Sequence, residues 1–252
     1  MRDHPIAVFD SGVGGISVLR ALLRLMPEEN YLYFGDSANA PYGEKSTAAV
    51  RELTLQHAKT LFARGAKALV IACNTATSAA IEELRSLYPQ KIVVGIEPAL
   101  KLAVARHPRG RIVVMATQTT LREQKFAALL QRCGSSCEII KCPCPELVRF
   151  VERGELESAA LDEYLRGEMQ PCLPADAIVL GCTHFPFLRG AMQRIVGEKP
   201  ELLDGSEGTA RQTMRRLQAA DLLRSGCGTV TLTNSLQAAE ISALSEKLLA
   251  LP

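Results

Sequence analysis

No stretch of this chain approaches the roughly 20 consecutive apolar residues that a membrane-spanning helix requires. Charge of one sign is equally scarce: 29 Lys and Arg oppose 27 Asp and Glu, for a net charge of +2. The basic residues are scattered, apart from the pair Arg215 and Arg216. That excludes the electrostatic footprint of a nucleic-acid or membrane-surface binder. The N-terminus, MRDHPIAVFDSG, enters a strand pattern directly and lacks the apolar core of a secretion signal, so a cytoplasmic location is expected. No low-complexity segment, short-period repeat or distinctive linker interrupts the chain.

Other absences bear on chemistry. Eight cysteines are present, but none form the C-x2-C pair of a structural zinc knuckle or a dithiol oxidoreductase. Cys133, Cys137, Cys142 and Cys144 crowd together with the wrong spacing for zinc. Part of that group falls on an expected strand at Glu138–Lys141, where neighbouring side chains point apart. No metal is expected, and Cys172 and Cys227 are read as packing or surface residues. No lysine occupies a motif position that suggests a pyridoxal Schiff base, so no cofactor is expected. The turn after the first strand, Asp10-Ser11-Gly12-Val13-Gly14-Gly15, is a ready anion cradle. It lacks the third glycine of a dinucleotide fingerprint, because Ser17 follows Ile16.

What is there is a long alternation of strands and helices across 252 residues that are 47% hydrophobic, enough for one large or two small α/β domains with a substantial core. Residues 6–9 read as a strand, with a helix from about Ser17 to Met26. Tyr31–Phe34 is the next strand, and a long polar connection, residues 35–43, follows it. Connections of that length often carry binding residues. A helix runs from about Thr47 to Arg64, with Gly65 as the residue that ends it. Later strands are expected at residues 92–96, 111–115, 138–141 and 229–233. Helices are expected at 99–106, from Thr120 to Arg132, at 155–169, 187–196 and about 207–217, and at the C-terminus.

Two of these units stand out. Residues 68–80, ALVIACNTATSAA, place Cys73 at the end of a buried strand and the start of a helix, where the positive end of the helix dipole favours a thiolate. Residues 177–188, AIVLGCTHFPFL, repeat the arrangement with Cys182, Thr183 and His184. In an open α/β sheet, ligands sit at the carboxyl ends of the strands. Asp10-Ser11 with Cys73-Asn74-Thr75 is echoed by Thr117 and Thr120 with Cys182-Thr183-His184. The echo predicts two similar lobes, each a mostly parallel sheet flanked by helices, with the active site in the cleft between them.

Three chemistries want such thiols. A nucleophilic hydrolase needs a cysteine with a histidine base. Only four histidines exist, one of them, His184, in a motif, and its partner would more naturally be Cys73 than Cys182, two residues away. A disulfide exchanger prefers C-x-x-C. Racemisation at a Cα needs an acid on one face and a base on the other, exchanging roles with the enantiomer, and thiols that titrate near neutrality suit this. In that scheme Asp10 assists Cys73 and His184 assists Cys182. Ser11, Asn74, Thr75, Thr117, Thr120 and Thr183 hold carboxylates, although Thr117 and Thr120 would equally cap the helix that follows.

At these residues the chain resembles the glutamate racemases of the cofactor-independent aspartate/glutamate racemase superfamily. The likeness runs nearly end to end and rests on FDSGVGGISVL at 9–19, YFGDSANAPYG at 33–43, ACNTATS at 72–78, the Thr117/Thr120 pair and GCTHFPFL at 181–188. His184 after Cys182-Thr183 is similar to the glutamate enzymes, whereas the related aspartate racemases usually carry Glu there. The resemblance implies interconversion of L- and D-glutamate to supply bacterial peptidoglycan, with Cys73 and Cys182 as the paired acid/base. It implies substrate contacts at Asp10, Ser11, Tyr42, Gly43, Asn74, Thr75, Thr183 and His184, with Pro41 beside them, and Glu152 as an acidic residue near the site. It also implies a first lobe of residues 1–97 plus 207–252, a second of 98–206, and possible homodimers. Ala116 and Arg149 depart from the family pattern. The alternatives are a racemase for another acidic amino acid, such as aspartate, or a glutamate-binding regulator without catalysis.

Overall fold

The computed structural model describes residues 1–122 and 137–251. The chain forms two compact units, Met1–Ile96 with Ser206–Pro252, and Glu97–Gly205.

In the first unit the sheet is built from β1 (Ile6–Asp10), β2 (Tyr31–Gly35), β3 (Ala68–Ile71), β4 (Ile92–Gly95) and β9 (Val230–Asn234). Their order is β4-β3-β1-β2-β9, and every pair is parallel. The helices of this unit are α1 (Ile16–Leu25), α2 (Thr47–Ala63), α3 (Asn74–Leu87), α9 (Ser206–Ala219) and α10 (Ala239–Ala250). The central strands β1 and β3 are buried at every position. That is why they read as unbroken apolar runs and not as alternating ones. Full burial of Ile6, Val8 and Phe9 contributes about 1.5–3 kcal/mol each. The edge strand β9 is exposed or half-buried throughout.

The second unit carries β5 (Arg111–Ala116), β6 (Glu138–Pro143), β7 (Ala177–Leu180) and β8 (Glu201–Asp204), ordered β6-β5-β7-β8 and again parallel. Its helices are α4 (Leu100–Arg106), α5 (Gln118–Arg122), α6 (Glu146–Glu152), α7 (Ala159–Met169) and α8 (Arg189–Val196). The helix expected through Arg132 is described as far as Arg122, and Cys133 lies outside the described residues.

Three expectations need correction. Strand β8 was not foreseen: it is four residues long, lies at the sheet edge, and buries only Leu203, so it has no clear period. Strand β6 runs to Pro143, two residues further than expected. The helix expected from 155 begins at Ala159, because the Ser158 side chain accepts from the Leu161 N–H and caps it there. Ser46 caps α2 in the same way, and Gly65 leaves that helix at φ 89°. Among the described residues no helix is long and apolar enough to cross a membrane.

Candidate active site

In the first unit the site residues gather at the carboxyl edge of adjacent strands. β1 lies between β2 and β3, with Asp10 opposite Gly35 and Phe9 opposite Ile71. The Ala72 N–H donates to the Phe9 carbonyl at 2.8 Å, so Asp10-Ser11 and Cys73 leave neighbouring strands side by side. Asp10 is fully buried, a costly position for a carboxylate without donors. The Gly12 N–H donates to its Oδ1 at 3.0 Å, and the Tyr33 hydroxyl fastens the same turn by donating to the Gly12 carbonyl at 2.6 Å. The close fit requires glycine at 15: a Cβ there would stand 2.5 Å from the Asp10 Cβ and 3.1 Å from the Ala72 Cβ.

Cys73 is the N-cap of α3, and its Sγ accepts from the Ala76 N–H at 3.4 Å. Sulfur is a weak acceptor as a thiol and a better one as a thiolate. The cap and the helix dipole therefore both favour the charged form. Asn74 and Thr75 occupy the first turn of α3 and are buried. The Asn74 Oδ1 is buried without a hydrogen-bond partner, an acceptor that native proteins seldom leave idle.

Tyr42 and Gly43 lie in the 3-10 turn Tyr42–Glu44, after Pro41. The Tyr42 phenol is engaged within the protein. It donates to Asp36 Oδ2 at 2.7 Å, and burial together with that bond holds it protonated, far above the ordinary tyrosine range. Sequence reasoning missed Asp36 and its other partner, His57, whose Nε2 is 3.0 Å from the same oxygen. The two lie 21 residues apart, and only the sheet order brings α2 over the end of β2.

The second unit repeats the arrangement with different partners. Met115 of β5 is opposite Leu180 of β7, and the Gly181 N–H donates to the Met115 carbonyl at 2.7 Å. Ala116-Thr117 and Cys182 thus emerge together. Thr117 and Thr120 are buried, with hydroxyl oxygens 3.0 Å apart. The Thr120 N–H donates to Thr117 Oγ1 at 3.3 Å, so this pair does cap the short helix α5.

Beyond Cys182 the chain curls at Thr183 into the 3-10 turn Phe185–Leu188. The curl brings His184 Nδ1 to 3.5 Å from Cys182 Sγ. A pairing with Cys73 belongs to the hydrolase reading alone; the tight turn folds the ring back on Cys182, the neighbour that the racemisation scheme expects for it. On its other side His184 Nε2 is 2.7 Å from Glu152 Oε1, at the end of α6. Burial alone would lower the His184 pKa, but the bonds to Cys182 and Glu152 outweigh it and hold the ring well above the ordinary histidine range. A protonated imidazole donates from both nitrogens, here to a sulfur and to a carboxylate.

Three of the remaining cysteines, Cys142, Cys144 and Cys172, form a separate, buried group. Cys142 and Cys144 lie just beyond the strand expected at 138–141. They are two apart on one extended segment, and their sulfurs lie 3.5 Å from each other. The Cys142 and Cys172 thiols both donate to the Glu168 carbonyl, at 3.5 and 3.6 Å. The bond to Cys142, with burial, keeps the Cys144 thiol protonated far above its usual range. Cys227 is exposed, and Cys137 is half-buried and donates to the His107 carbonyl. Among the described residues no group of three or more His, Cys, Asp or Glu is arranged to hold a metal ion.

The chain is similar to known proteins over almost its whole length. A family model described as Asp/Glu/hydantoin racemase matches residues 11–213. The glutamate racemase of Clostridium perfringens is 46% identical over 253 residues, covering 99% of this chain and 97% of that one. Among solved structures, a glutamate racemase isoform of Bacillus anthracis superimposes with a TM-score of 0.90 at 27% identity, covering 100% of this chain and 96% of the other. The Escherichia coli glutamate racemase, solved with L-glutamate and an activator, gives a TM-score of 0.87 at 29% identity, with 97% and 95% coverage. With strand-end cysteines in both units and this end-to-end likeness, the chain belongs to the Asp/Glu/hydantoin racemase family, where it groups with the glutamate racemases.

Proposed function

We propose that the chain interconverts L- and D-glutamate by proton transfer at Cα, with Cys73 and Cys182 as the two acid/base groups. The observation that carries this reading is the line Cys182–His184–Glu152, with spacings of 3.5 and 2.7 Å. It supplies one thiol with a titratable neighbour whose charge is held by a carboxylate. Cys73, capping α3, supplies the other thiol with a helix N-terminus.

In this reading one cysteine enters the cycle as thiolate and the other as thiol. The thiolate takes the Cα proton. The electron pair left on Cα moves toward the α-carboxylate, where hydroxyl and backbone donors stabilise the growing charge. The thiol on the opposite face then delivers its proton to Cα, and the enantiomer leaves with the two sulfurs in exchanged states. His184 serves Cys182 by donating to the sulfur when it is charged. Asp10 would do the corresponding service for Cys73 as an acceptor.

The same reading assigns the substrate contacts. Ser11, Thr75, Thr117, Thr120 and Thr183 hold the two carboxylates, and the main-chain N–H groups of Tyr42 and Gly43, set by Pro41 before them, assist. The unpartnered Asn74 Oδ1 suits the α-ammonium, a donor of three protons. Glutamate as substrate is supported by the L-glutamate bound to the Escherichia coli enzyme. The product D-glutamate would supply peptidoglycan.

The experiment is Cα exchange in heavy water. Either enantiomer of glutamate, with no pyridoxal phosphate or metal added, should acquire deuterium at Cα. Absence of exchange from both would end this reading, and parallel assays with aspartate test the nearest competing substrate.

A further inference from the structure

We propose that Asp36 is a positioning residue for glutamate binding, tying the Tyr42–Gly43 turn to the Asp10–Gly12 turn within the first unit. The proposal rests on the glutamate reading above and concerns how one unit holds its half of the contacts.

Asp36 is fully buried and takes part in both turns. Its N–H donates to the Asp10 carbonyl at 3.0 Å. Its Oδ2 accepts from the Tyr42 hydroxyl at 2.7 Å and from His57 Nε2 at 3.0 Å. Asn39 Nδ2 lies 3.1 Å from each carboxylate oxygen, and Ser235 also bonds to the carboxylate. Burial pushes the carboxyl toward protonation, yet these donors outweigh it and hold Asp36 below the ordinary aspartate range. The charged form is therefore the one that the surroundings are built for.

The wiring is more than the fold requires. A buried carboxylate is no more stabilising than well-packed apolar side chains of the same volume. What it adds is a fixed angle for each donor. The Tyr42 ring is clamped between Asp36 and Phe9, whose centroid is 6.3 Å away. His57 packs on Phe9 and Phe34, at 5.4 and 4.8 Å, and cannot swing away from Oδ2 without opening that stack. The main chain of Tyr42 and Gly43 is thus held in register with Asp10 and Ser11, through a carboxylate that itself need not touch the substrate.

The test is Tyr42→Phe, which removes one donor from Asp36 and keeps the ring, alongside His57→Leu and His57→Gln. Steady-state racemisation of both enantiomers is measured with thermal melting. Tyr42→Phe and His57→Leu should raise KM about tenfold, the weight of one buried hydrogen bond, with kcat held within about threefold. His57→Gln, which keeps an N–H for Oδ2, should recover most of the loss. Wild-type KM in both Tyr42→Phe and His57→Leu overturns the proposal. So does a fall in kcat that tracks the melting temperature and is not relieved by His57→Gln, since that is a purely structural role. Failure of the wild-type protein to exchange the Cα proton overturns the glutamate reading instead, so the two failures are separable.

Discussion

His184 and Glu152, 32 residues apart in the chain, are joined by a 2.7 Å contact between Nε2 and Oε1. Glu152 is partly exposed, whereas His184 is almost completely buried. The carboxylate thus sits at the outer end of a line that runs inward to Cys182. Such a line keeps a positive charge beside a sulfur in a place that would otherwise reject it.

Glu152→Gln keeps the shape of that line and removes its charge. The His184 pKa should fall, because one of the two bonds that raise it is weakened. Racemisation should drop about tenfold to a hundredfold, less than the loss of a full acid/base group. The protonated ring is lost as pH rises through its pKa, so the alkaline limb of the rate profile should move to lower pH. A rate profile of unchanged position would contradict this role.

The same pair has a consequence for stability. His184 has a raised pKa in the folded protein, so the native state binds its proton more tightly than the unfolded chain does. That contribution is fully present below the unfolded value of about 6.5 and fades as pH rises through the folded value. Urea midpoints measured from pH 6 to pH 9 should fall more steeply for the wild-type protein than for His184→Gln. Parallel slopes would count against a charged His184.

Cys73→Ala and Cys182→Ala should each reduce racemisation by a factor of about a thousand or more. They should differ in stability. Cys73 caps α3 through the Ala76 N–H, so its loss should also cost about 1 kcal/mol. Full activity in either variant would remove that cysteine from the mechanism.

Gly15→Ala and Gly167→Ala should have opposite signs. A Cβ at 15 meets Asp10 and Ala72 at 2.5 and 3.1 Å, and overpacking there should destabilise by about 1–3 kcal/mol. A Cβ at 167, on the exposed side of α7, meets nothing within 4 Å. There the gain in helix propensity should stabilise by about 0.5–1 kcal/mol. Chemical denaturation reads both.

Lys67→Met tests the buried ion pair. Lys67 Nζ lies 2.5 Å from Glu29 Oε2, and both side chains are essentially inaccessible. The ammonium also donates to the carbonyls of Arg2 and Leu222, at 2.6 and 2.9 Å. Leaving the buried Glu29 charge without its cation, with the Arg224 main-chain N–H still donating to Oε1 at 2.9 Å, should cost about 3–5 kcal/mol. The double variant Lys67→Met with Glu29→Gln should recover part of that in the same denaturation assay.

Much of the site was legible because its signals are local. Buried strands such as ALVI and AIVL show as apolar runs, and a cysteine followed by small polar residues marks the step from strand to helix. The turn 10–15 shows its glycines. The short edge strand β8 was not legible, because one buried residue in four makes no period. Nor was the contact between Cys142 and Cys144, which depends on β6 reaching Pro143.

By itself the sequence determined which residues stand at strand ends, where helices begin, and which side chains are chemically apt, since periodicity and capping act within a few residues. The tertiary structure alone decided the partners: Glu152 for His184, Asp36 for both Tyr42 and His57, Glu29 for Lys67. Those pairings follow from strand order and helix packing, which bring distant segments together, and a buried charge takes whichever donor or acceptor that packing delivers.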